Sequence, residues 1–387
     1  MHTLYFYILL LHITCIYGHH FNISLNDNRL LRKILKGKYV TDLTDFQYIV
    51  RIDQTQFNAI NVRSLEMGRA SLNPPLRCTG IIFHEKLIAT AAHCLKRIQR
   101  GPTLSSTGPG EFHRVSVTEV NIYIRDPTYW ETPFPVALRA GGEANIILHP
   151  THQQCLDMFE VDKEMRYKAC LFDAIGIGLI RFKSFSHEPL QKQMENHQLC
   201  MAGTNNILNC PDEYVRWSSP QSFQILGYGE VDFPTWAITM EEYLSKDSAS
   251  GYVKYMKLLD IGDIMPEKLT KITPTAIKNP YNGYIREPCA KGAVYKGDSG
   301  APLLRPIILP THREWYAVGI IQQGIAKRCD KVCRQDYTPN PNILFPHMQG
   351  TVEECRLCND DMCEFIFLDM RSCSSWLKME FDKAGTA

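Results

Sequence analysis

The chain has 387 residues, of which 44% are hydrophobic and 21% charged, and its formal net charge is +1. This composition is typical of globular proteins, and the length fits one β-rich domain with insertions or two small barrels packed together. A nearly neutral chain has no overall field that would attract nucleic acid or an anionic membrane surface, so neither is expected as a partner.

The first 18 residues predict a signal peptide. Residues 4–16 form an apolar run, and small or turn-like residues follow near Gly18. A run of roughly a dozen apolar residues has the length of a signal-peptide core and is too short to cross a bilayer. A buried N-terminal strand is the alternative interpretation. The glycosylation sequon at Asn22 fits export, so we expect a secreted, extracellular protein.

The cysteine count fits an oxidising compartment. The chain has 14 cysteines, and removing Cys15 with the signal peptide leaves 13, an odd number. Most should pair, which allows at most six bridges and leaves at least one thiol. Cys355 and Cys358 have the spacing of metal ligands, but in a secreted chain a disulfide cluster is the favoured interpretation. No metal and no cofactor are expected.

Short apolar segments with turn signals between them predict an all-β fold. Residues 46–52 alternate between apolar and polar side chains, and residues 79–90 read as two strands around a polar turn. Further strands are predicted at 175–182, 222–229, 301–309 and 315–323, and a final helix after Ser372.

One segment, residues 296–302, predicts a nucleophilic serine. Ser299 stands between Asp298 and Gly300, with Gly297 before them. A serine hydroxyl needs a neighbouring base and amide donors aimed at an oxyanion, and the N–H groups of Gly297 and Ser299 can supply the donors. Taken alone, the same four residues are also a common turn sequence.

A second segment predicts the base. His93 follows the small residues Ala91 and Ala92, which allow a turn at the end of a strand. A histidine titrates near neutral pH and can accept and then return a proton. Cys78 and Cys94 are near enough in sequence to bridge a hairpin beneath it. A buried structural histidine beside a disulfide is the alternative.

Together the two segments resemble the chymotrypsin/trypsin-like serine proteases. Four further matches occur in the same order: Lys33 with Ile34–Gly37 at the activation cleavage site, residues 147–150, residues 227–229, and Trp376 with Leu377 in the closing helix. The resemblance implies two six-stranded antiparallel β-barrels with a short C-terminal helix. It also implies a signal peptide at 1–18, a propeptide at 19–33 and a protease domain at 34–387 with cysteine-bearing insertions.

The resemblance also implies a zymogen. Cleavage after Lys33 would free the ammonium group of Ile34, which in this family enters the domain and pairs with the carboxylate before the serine, here Asp298. A buried charge is costly without its partner, so the oxyanion loop should be poorly formed before cleavage. Ser299 would be the nucleophile, His93 the general base, and Gly297 and Ser299 the oxyanion hole.

The third member of the triad departs from the family pattern. Gly176 stands in the place of the aspartate that would orient His93, and the nearest carboxylate is Asp173. Either a bulge in the strand brings Asp173 to His93, or the orienting carboxylate is missing.

The substrate pocket departs as well. Ala293 stands where a trypsin-type enzyme has aspartate, so a preference for Arg or Lys at the cleavage site is not expected. Gln322 and Gly324 lie on the strand that would edge the pocket. Cys289 replaces a usual cysteine and would pair with Cys329.

These features predict a secreted serine endopeptidase that hydrolyses peptide bonds through an acyl-enzyme. Its expected partners are protein or peptide substrates, an activating protease and protein inhibitors. The alternative is a catalytically impaired homologue that acts as an extracellular binding or regulatory protein. A lipase or esterase fits poorly, because Ala301 breaks the Gly-x-Ser-x-Gly pattern and the chain lacks alternation of strands with helices.

Overall fold

The structure, a computed structural model, describes residues 38–39, 46, 48–61, 67–100, 112–124, 134–139, 142–158, 174–183, 200–201, 223–229, 257–261, 281–288, 294, 297–308, 313–325 and 362–386. These residues lie in one compact unit, Lys33–Ala387. The predicted signal peptide and the propeptide through Lys33 lie outside them.

Two mostly antiparallel β-sheets dominate these residues. The N-terminal sheet has the strand order β5-β6-β2-β3-β4-β9-β8, with β7 beside β6. Its strands are β2 (Ile49–Asn61), β3 (Met67–His84), β4 (Leu87–Ala91), β5 (Lys96–Arg100), β6 (Phe112–Tyr123), β7 (Phe134–Ala137), β8 (Ala144–Leu148) and β9 (Ile177–Phe182).

The C-terminal sheet has the order β1-β12-β11-β14-β15-β16-β13, and β10 pairs with β15 in parallel. Its strands are β1 (Lys38–Tyr39), β10 (Cys200–Met201), β11 (Phe223–Gly227), β12 (Lys257–Ile261), β13 (Asn282–Pro288), β14 (Pro302–Ile308), β15 (Arg313–Ile325) and β16 (Met362–Asp369).

Burial along β6 follows the two-residue period of a sheet on either side of Thr118 and Glu119, where the phase shifts beside an irregularity in the pairing with β2. In β6 the fully buried side chains are Val115, Val117, Val120 and Ile122. Successive side chains of a strand point to opposite faces, so on each side of this shift the apolar residues are covered and the polar residues between them are partly exposed. In β4, by contrast, every residue is buried, because β3 and β9 flank it and the serine loop described below covers its end.

Two α-helices are present in the described residues. Helix α1 (Pro150–Asp157) begins with proline at its first position, and the side chain of His149 caps it by accepting a hydrogen bond from Thr151 N. Helix α2 (Ser374–Gly385) buries Trp376 and Leu377 against the core. Neither of these helices is long and apolar enough to cross a membrane.

The all-β fold class with a short C-terminal helix is confirmed. Each sheet has eight strands among the described residues, where the resemblance implied six. The additional pairings are short and lie at the margins of the sheets: β1 and β10 have two residues each, and β7 has four.

Candidate active site

His93 lies where the N-terminal sheet turns. It is the central residue of a short 3-10 helix, Ala92–Cys94, that continues directly from β4. Ala91 and Ala92 are fully buried, so only small side chains fit at this turn. Ala92 N donates a hydrogen bond of 2.9 Å to the carbonyl oxygen of Gly176, which precedes β9. The turn is therefore held against the strand on which the family places its aspartate.

A disulfide fixes the other side of this turn. Cys94 is bonded to Cys78 of β3, with 6.3 Å between the two Cα atoms. This pairing confirms the prediction that a bridge lies beneath His93. Cys155 in α1 is disulfide-bonded as well, whereas Cys373 is a free, buried thiol whose pKa burial raises to about 12. A thiol with so high a pKa stays protonated and unreactive near neutral pH.

The loop of Ser299 is docked onto β3 and β4. Thr79 N donates a hydrogen bond of 2.8 Å to the carbonyl oxygen of Ser299, and Cys94 Sγ lies 3.8 Å from the same oxygen. Gly297 and Gly300 have φ values of +92° and +86°, which side chains with a Cβ rarely adopt. A Cβ on Gly300 would also overlap the carbonyl oxygen of Thr79. The two glycines thus allow the serine loop to approach the His93 turn.

Thr79 joins the two sheets beneath the serine loop. Its hydroxyl donates to the carbonyl oxygen of Gly297 at 3.0 Å and accepts from Tyr228 N at 3.0 Å. Its own carbonyl oxygen accepts from the hydroxyl of Thr90 at 2.7 Å. Thr79 is completely buried, so these bonds form in a low-dielectric environment where an unpaired polar group is costly. A role for Thr79 was not predicted from the sequence, although this residue adjoins Cys78.

Asp298 points away from the surface. It is completely buried, and its Oδ1 accepts a hydrogen bond of 2.7 Å from Gly229 N. Gly229 belongs to the segment after β11 that resembles the family's glycine turn. Ile34, the predicted partner of Asp298, lies outside the described residues.

The surroundings of His93 favour its neutral form. The ring is partly exposed, but enough protein surrounds it that burial lowers its pKa to about 4. Positive charge on Arg97 and on His152 lowers the pKa further. Arg97 Nη1 lies within 3.4 Å of the carbonyl oxygen of His93 and donates to Gln54 Oε1 at 3.0 Å. At neutral pH the imidazole is therefore unprotonated, as a general base must be.

The hydroxyl of Ser299 faces β15. Among the described residues its hydrogen-bond partner is the carbonyl oxygen of Gln322, at a long 3.4 Å, and it makes no hydrogen bond to His93. The side chain of Gln322 donates from its Nε2 to the carbonyl oxygen of Ile320 at 3.3 Å. The serine loop, the His93 turn and β15 thus meet at one place, where Gly176 adjoins the Gln322 side chain.

No family model matches the chain. A distant relative is a serine protease. The CLIP domain-containing serine protease B4 of Anopheles gambiae is 22% identical over 303 residues, which are 75% of this chain and 65% of the relative. The chain therefore spans slightly less than two thirds of the length of this mosquito relative.

Eight of the predicted site residues lie among the described residues, and they are not scattered. Ser299 and Gly297 contact β3 through Thr79, whose N–H donates to the carbonyl oxygen of Ser299 and whose hydroxyl donates to that of Gly297. Cys94 of the His93 turn also lies beside the carbonyl oxygen of Ser299. Gln322 accepts from Ser299, and Gly324 pairs with Phe365 of β16 two residues further along β15. The predictions for Lys33, Ile34, Asp173, Ala293, Cys289 and Cys329 fall outside the described residues.

Proposed function

We propose that this chain is a secreted serine endopeptidase whose nucleophile is Ser299 and whose general base is His93. The observation that carries the proposal is the docking of the serine loop on β3 beside the His93 turn, where Thr79 N donates to the carbonyl oxygen of Ser299 at 2.8 Å and the adjacent Cys78 is bonded to Cys94 of the turn. The similarity to a mosquito serine protease supports the same reaction class.

The proposed reaction has two halves. Ser299 Oγ attacks the carbonyl carbon of the substrate peptide bond while His93 takes the hydroxyl proton. The N–H groups of Gly297 and Ser299 hold the oxyanion, the C–N bond breaks, and His93 returns the proton to the leaving amine. Water then attacks the acyl-enzyme while His93 takes a proton from it, and His93 returns this proton to Ser299 Oγ as the acid product leaves. Asp173 is proposed to orient His93 by accepting from its ring.

Activation is proposed to occur by cleavage after Lys33. The freed Ile34 ammonium would pair with Asp298, whose completely buried position suits a partner that arrives inside the domain. Asp298 directly precedes Ser299, so a change in its pairing would act on the oxyanion loop. An activating protease is therefore one proposed partner.

Export is proposed from the predicted signal peptide. The disulfide bonds of Cys94 and Cys155 support an oxidising compartment, because structural disulfides are rare in the cytosol. Protein or peptide substrates and protein inhibitors are the other proposed partners. Ala293, Gln322 and Gly324 are proposed to line the substrate pocket, without a preference for basic residues, and no metal or cofactor is proposed to take part.

A fluorescent phosphonate that reacts with activated serines tests the proposal. Purified protein is cleaved after Lys33 and labelled beside the uncleaved protein, with Ser299→Ala as the control. We expect labelling of Ser299 only after cleavage. Absence of labelling from a correctly cleaved, folded chain would overturn the endopeptidase proposal.

A second candidate function is an extracellular binding protein that is catalytically impaired. The observation that favours it is the hydrogen bond from Ser299 Oγ to the carbonyl oxygen of Gln322, together with Gly176 in the place of the family's aspartate. A serine aligned for attack should bond to its base instead. Peptide hydrolysis, measured for the cleaved native chain and for Asp173→Asn, separates the two functions. An enzyme hydrolyses the peptide and is slowed by the substitution, whereas an impaired binding protein hydrolyses it in neither form.

A further inference from the structure

The side chain of Gln322 occupies the space that a side chain at position 176 would need. A Cβ placed on Gly176 would lie 2.5 Å from Oε1 of Gln322 and 3.3 Å from its Cδ. Real Cβ atoms do not approach another heavy atom so closely, so the amide and a larger residue at 176 exclude one another. Position 176 is where the sequence resemblance places the orienting aspartate.

The backbone of β15 is irregular at this residue. In the pairing of β15 with β16, the register shifts between Ile321 and Gln323, so Gln322 is the additional residue of a bulge. A bulge turns the side chain of its extra residue away from the regular alternation, and bulges are frequent beside active sites. The local structure thus directs the Gln322 side chain toward Gly176.

The amide presents an acceptor there. Its Nε2 donates to the carbonyl oxygen of Ile320, and among the described residues its Oε1 has no hydrogen-bond donor. The residue that Oε1 adjoins, Gly176, accepts from Ala92 N, directly before His93. The backbone of Gln322 meanwhile accepts from Ser299 Oγ. One residue therefore adjoins the nucleophile through its carbonyl group and the turn of the base through its side chain.

We propose that the Gln322 carboxamide replaces the missing carboxylate at position 176 and positions the His93 imidazole for the proton transfer. This inference rests on the proposed endopeptidase function, and in it Gln322 takes the place of Asp173 as the group that accepts from the ring N–H of His93. Oε1 would accept from the ring N–H of His93 and hold the other ring nitrogen toward Ser299. An amide can fix the tautomer of the ring in this way, but it carries no charge to stabilise an imidazolium.

A neutral positioning group has a consequence for the pH dependence of the reaction. The charged or titratable groups that act on His93 from the described elements are Arg97 of β5 and His152 of α1, and both lower its pKa. With an amide in the place of the carboxylate, no negative charge near position 176 raises the pKa of His93. The enzyme would therefore keep its unprotonated base, and its rate, to an acidic pH where a carboxylate-assisted histidine is already protonated.

The variant Gln322→Glu tests the contact without requiring activity. It changes the amide into a carboxylate of nearly the same shape, and the His93 ring is titrated by NMR, with His93→Gln used to assign its signal. We expect the pKa of His93 to rise by about 1 to 3 units, because a carboxylate near an imidazole favours the charged form. The matched control Gln323→Glu, at the exposed neighbour, should leave it within about 0.3 units, since solvent screens the charge.

The rate of phosphonate labelling tests the positioning role. In chains cleaved after Lys33, Gln322→Ala should slow labelling of Ser299 by about 100-fold, because a displaced base costs that much, whereas Gln323→Ala should not change it. The double variant Gly176→Asp with Gln322→Ser should label faster than Gln322→Ala, since the carboxylate returns to its family position.

Either of two results would overturn the inference: an unchanged pKa of His93 in Gln322→Glu, or labelling of Gln322→Ala at the native rate. A drop in the pKa of His93 in Asp173→Asn together with the first result would assign the positioning role to Asp173 instead. Failure of the endopeptidase proposal looks different. In that case the native chain is not labelled at all, while the titration of His93 still responds to Gln322→Glu.

Discussion

Gly300 determines how near the serine loop can come to β3 and β4. It combines a positive φ of +86° with a position at which any Cβ would meet the carbonyl oxygen of Thr79 and lie 3.1 Å from Ala91 N. The clash is with backbone atoms, which cannot rotate away as the end of a side chain can. The loop and the strands must separate if this residue changes.

Gly300→Ala is therefore expected to lower the free energy of unfolding by about 2 to 4 kcal/mol, from backbone strain and overpacking together. It should also reduce phosphonate labelling of Ser299. Gly68→Ala is the matched control, because a Cβ there meets nothing within 4 Å. Urea denaturation measures both variants. Equal midpoints for the two would contradict the close approach.

Thr79 acts through its hydroxyl group. Thr79→Val keeps the shape of the side chain but removes the donor to Gly297 and the acceptor for Tyr228 N. We expect a loss of about 2 kcal/mol, because two buried backbone groups lose their partner. Thr79→Ser keeps the hydroxyl and should cost less than half as much. A Thr79→Val chain as stable as Thr79→Ser would show that the bridge between the sheets contributes nothing.

Helix α2 is attached to the N-terminal sheet by a charged group. Glu380 is buried, and its Oε2 lies 2.6 Å from Arg181 Nη2 on β9. The same guanidinium donates to the carbonyl oxygen of Glu380 at 3.1 Å, and the His84 ring packs edge-on against Phe381. The last helix of the chain thus contacts strands formed by its first half.

Glu380→Gln is expected to destabilise the protein by about 1 to 2 kcal/mol, because it leaves Arg181 partly buried without its counter-ion. On the opposite side of the helix, Lys378 and Asp382 form an exposed pair at 3.0 Å. Asp382→Asn should change stability by less than about 0.5 kcal/mol, since water screens that pair. Thermal unfolding of both variants compares them, and a larger effect at Asp382 would contradict this account.

The strands and helices that could be predicted from the sequence are those with a clear hydrophobic pattern. The hairpin at residues 79–90, β9, β11 and α2 were predicted because their apolar residues are continuous or alternate cleanly. Strand β6 was missed, because its alternation changes phase between Val117 and Val120, where the pairing with β2 is irregular. Strands β13 and β16 pair with each other across a separation of about 80 residues, which no local pattern reveals.

The whole molecule should lose stability in acid through three histidines that the fold partly or fully buries, His93, His149 and His152. Burial is the main cause that lowers the pKa of His93, His149 and His152 from 6.5 to about 4. A histidine whose pKa is lower in the folded state takes up its proton first in the unfolded state. The stability from these rings is therefore complete above about pH 6.5 and is lost as the pH falls toward about 4.

His152→Phe tests this pH dependence. The substitution removes one ring that titrates only when the chain unfolds, so the urea midpoint should fall less steeply between pH 6.5 and 4 than it does in the native protein. The two proteins are compared by the slope of the urea midpoint against pH. This slope reports proton uptake on unfolding, whereas a change in packing shifts the midpoint at every pH. An unaltered slope would mean that His152 does not contribute to the acid sensitivity.

The candidate site could be predicted in part because its chemistry is local in sequence. The serine loop and the Cys78–Cys94 bridge follow from short motifs, and the disulfide is confirmed. The meeting of Gly176 and Gln322 could not be predicted, because it depends on a bulge in β15 and on how two sheets pack. Asp173 was chosen from its distance along the chain, and that choice stays a prediction.

The bond from Thr79 to Gly297 joins residues 218 positions apart, and this separation bears on when the proposed activity can appear during synthesis. A ribosome that has finished the N-terminal sheet has made His93 and both cysteines of the Cys78–Cys94 bridge, but not Ser299. The serine follows late, and its loop is shaped by strands made long before it. A chain truncated before residue 297 would accordingly contain His93 but neither the serine loop nor the bond that docks this loop on β3, so the proposed activity could appear only after the C-terminal half had been made.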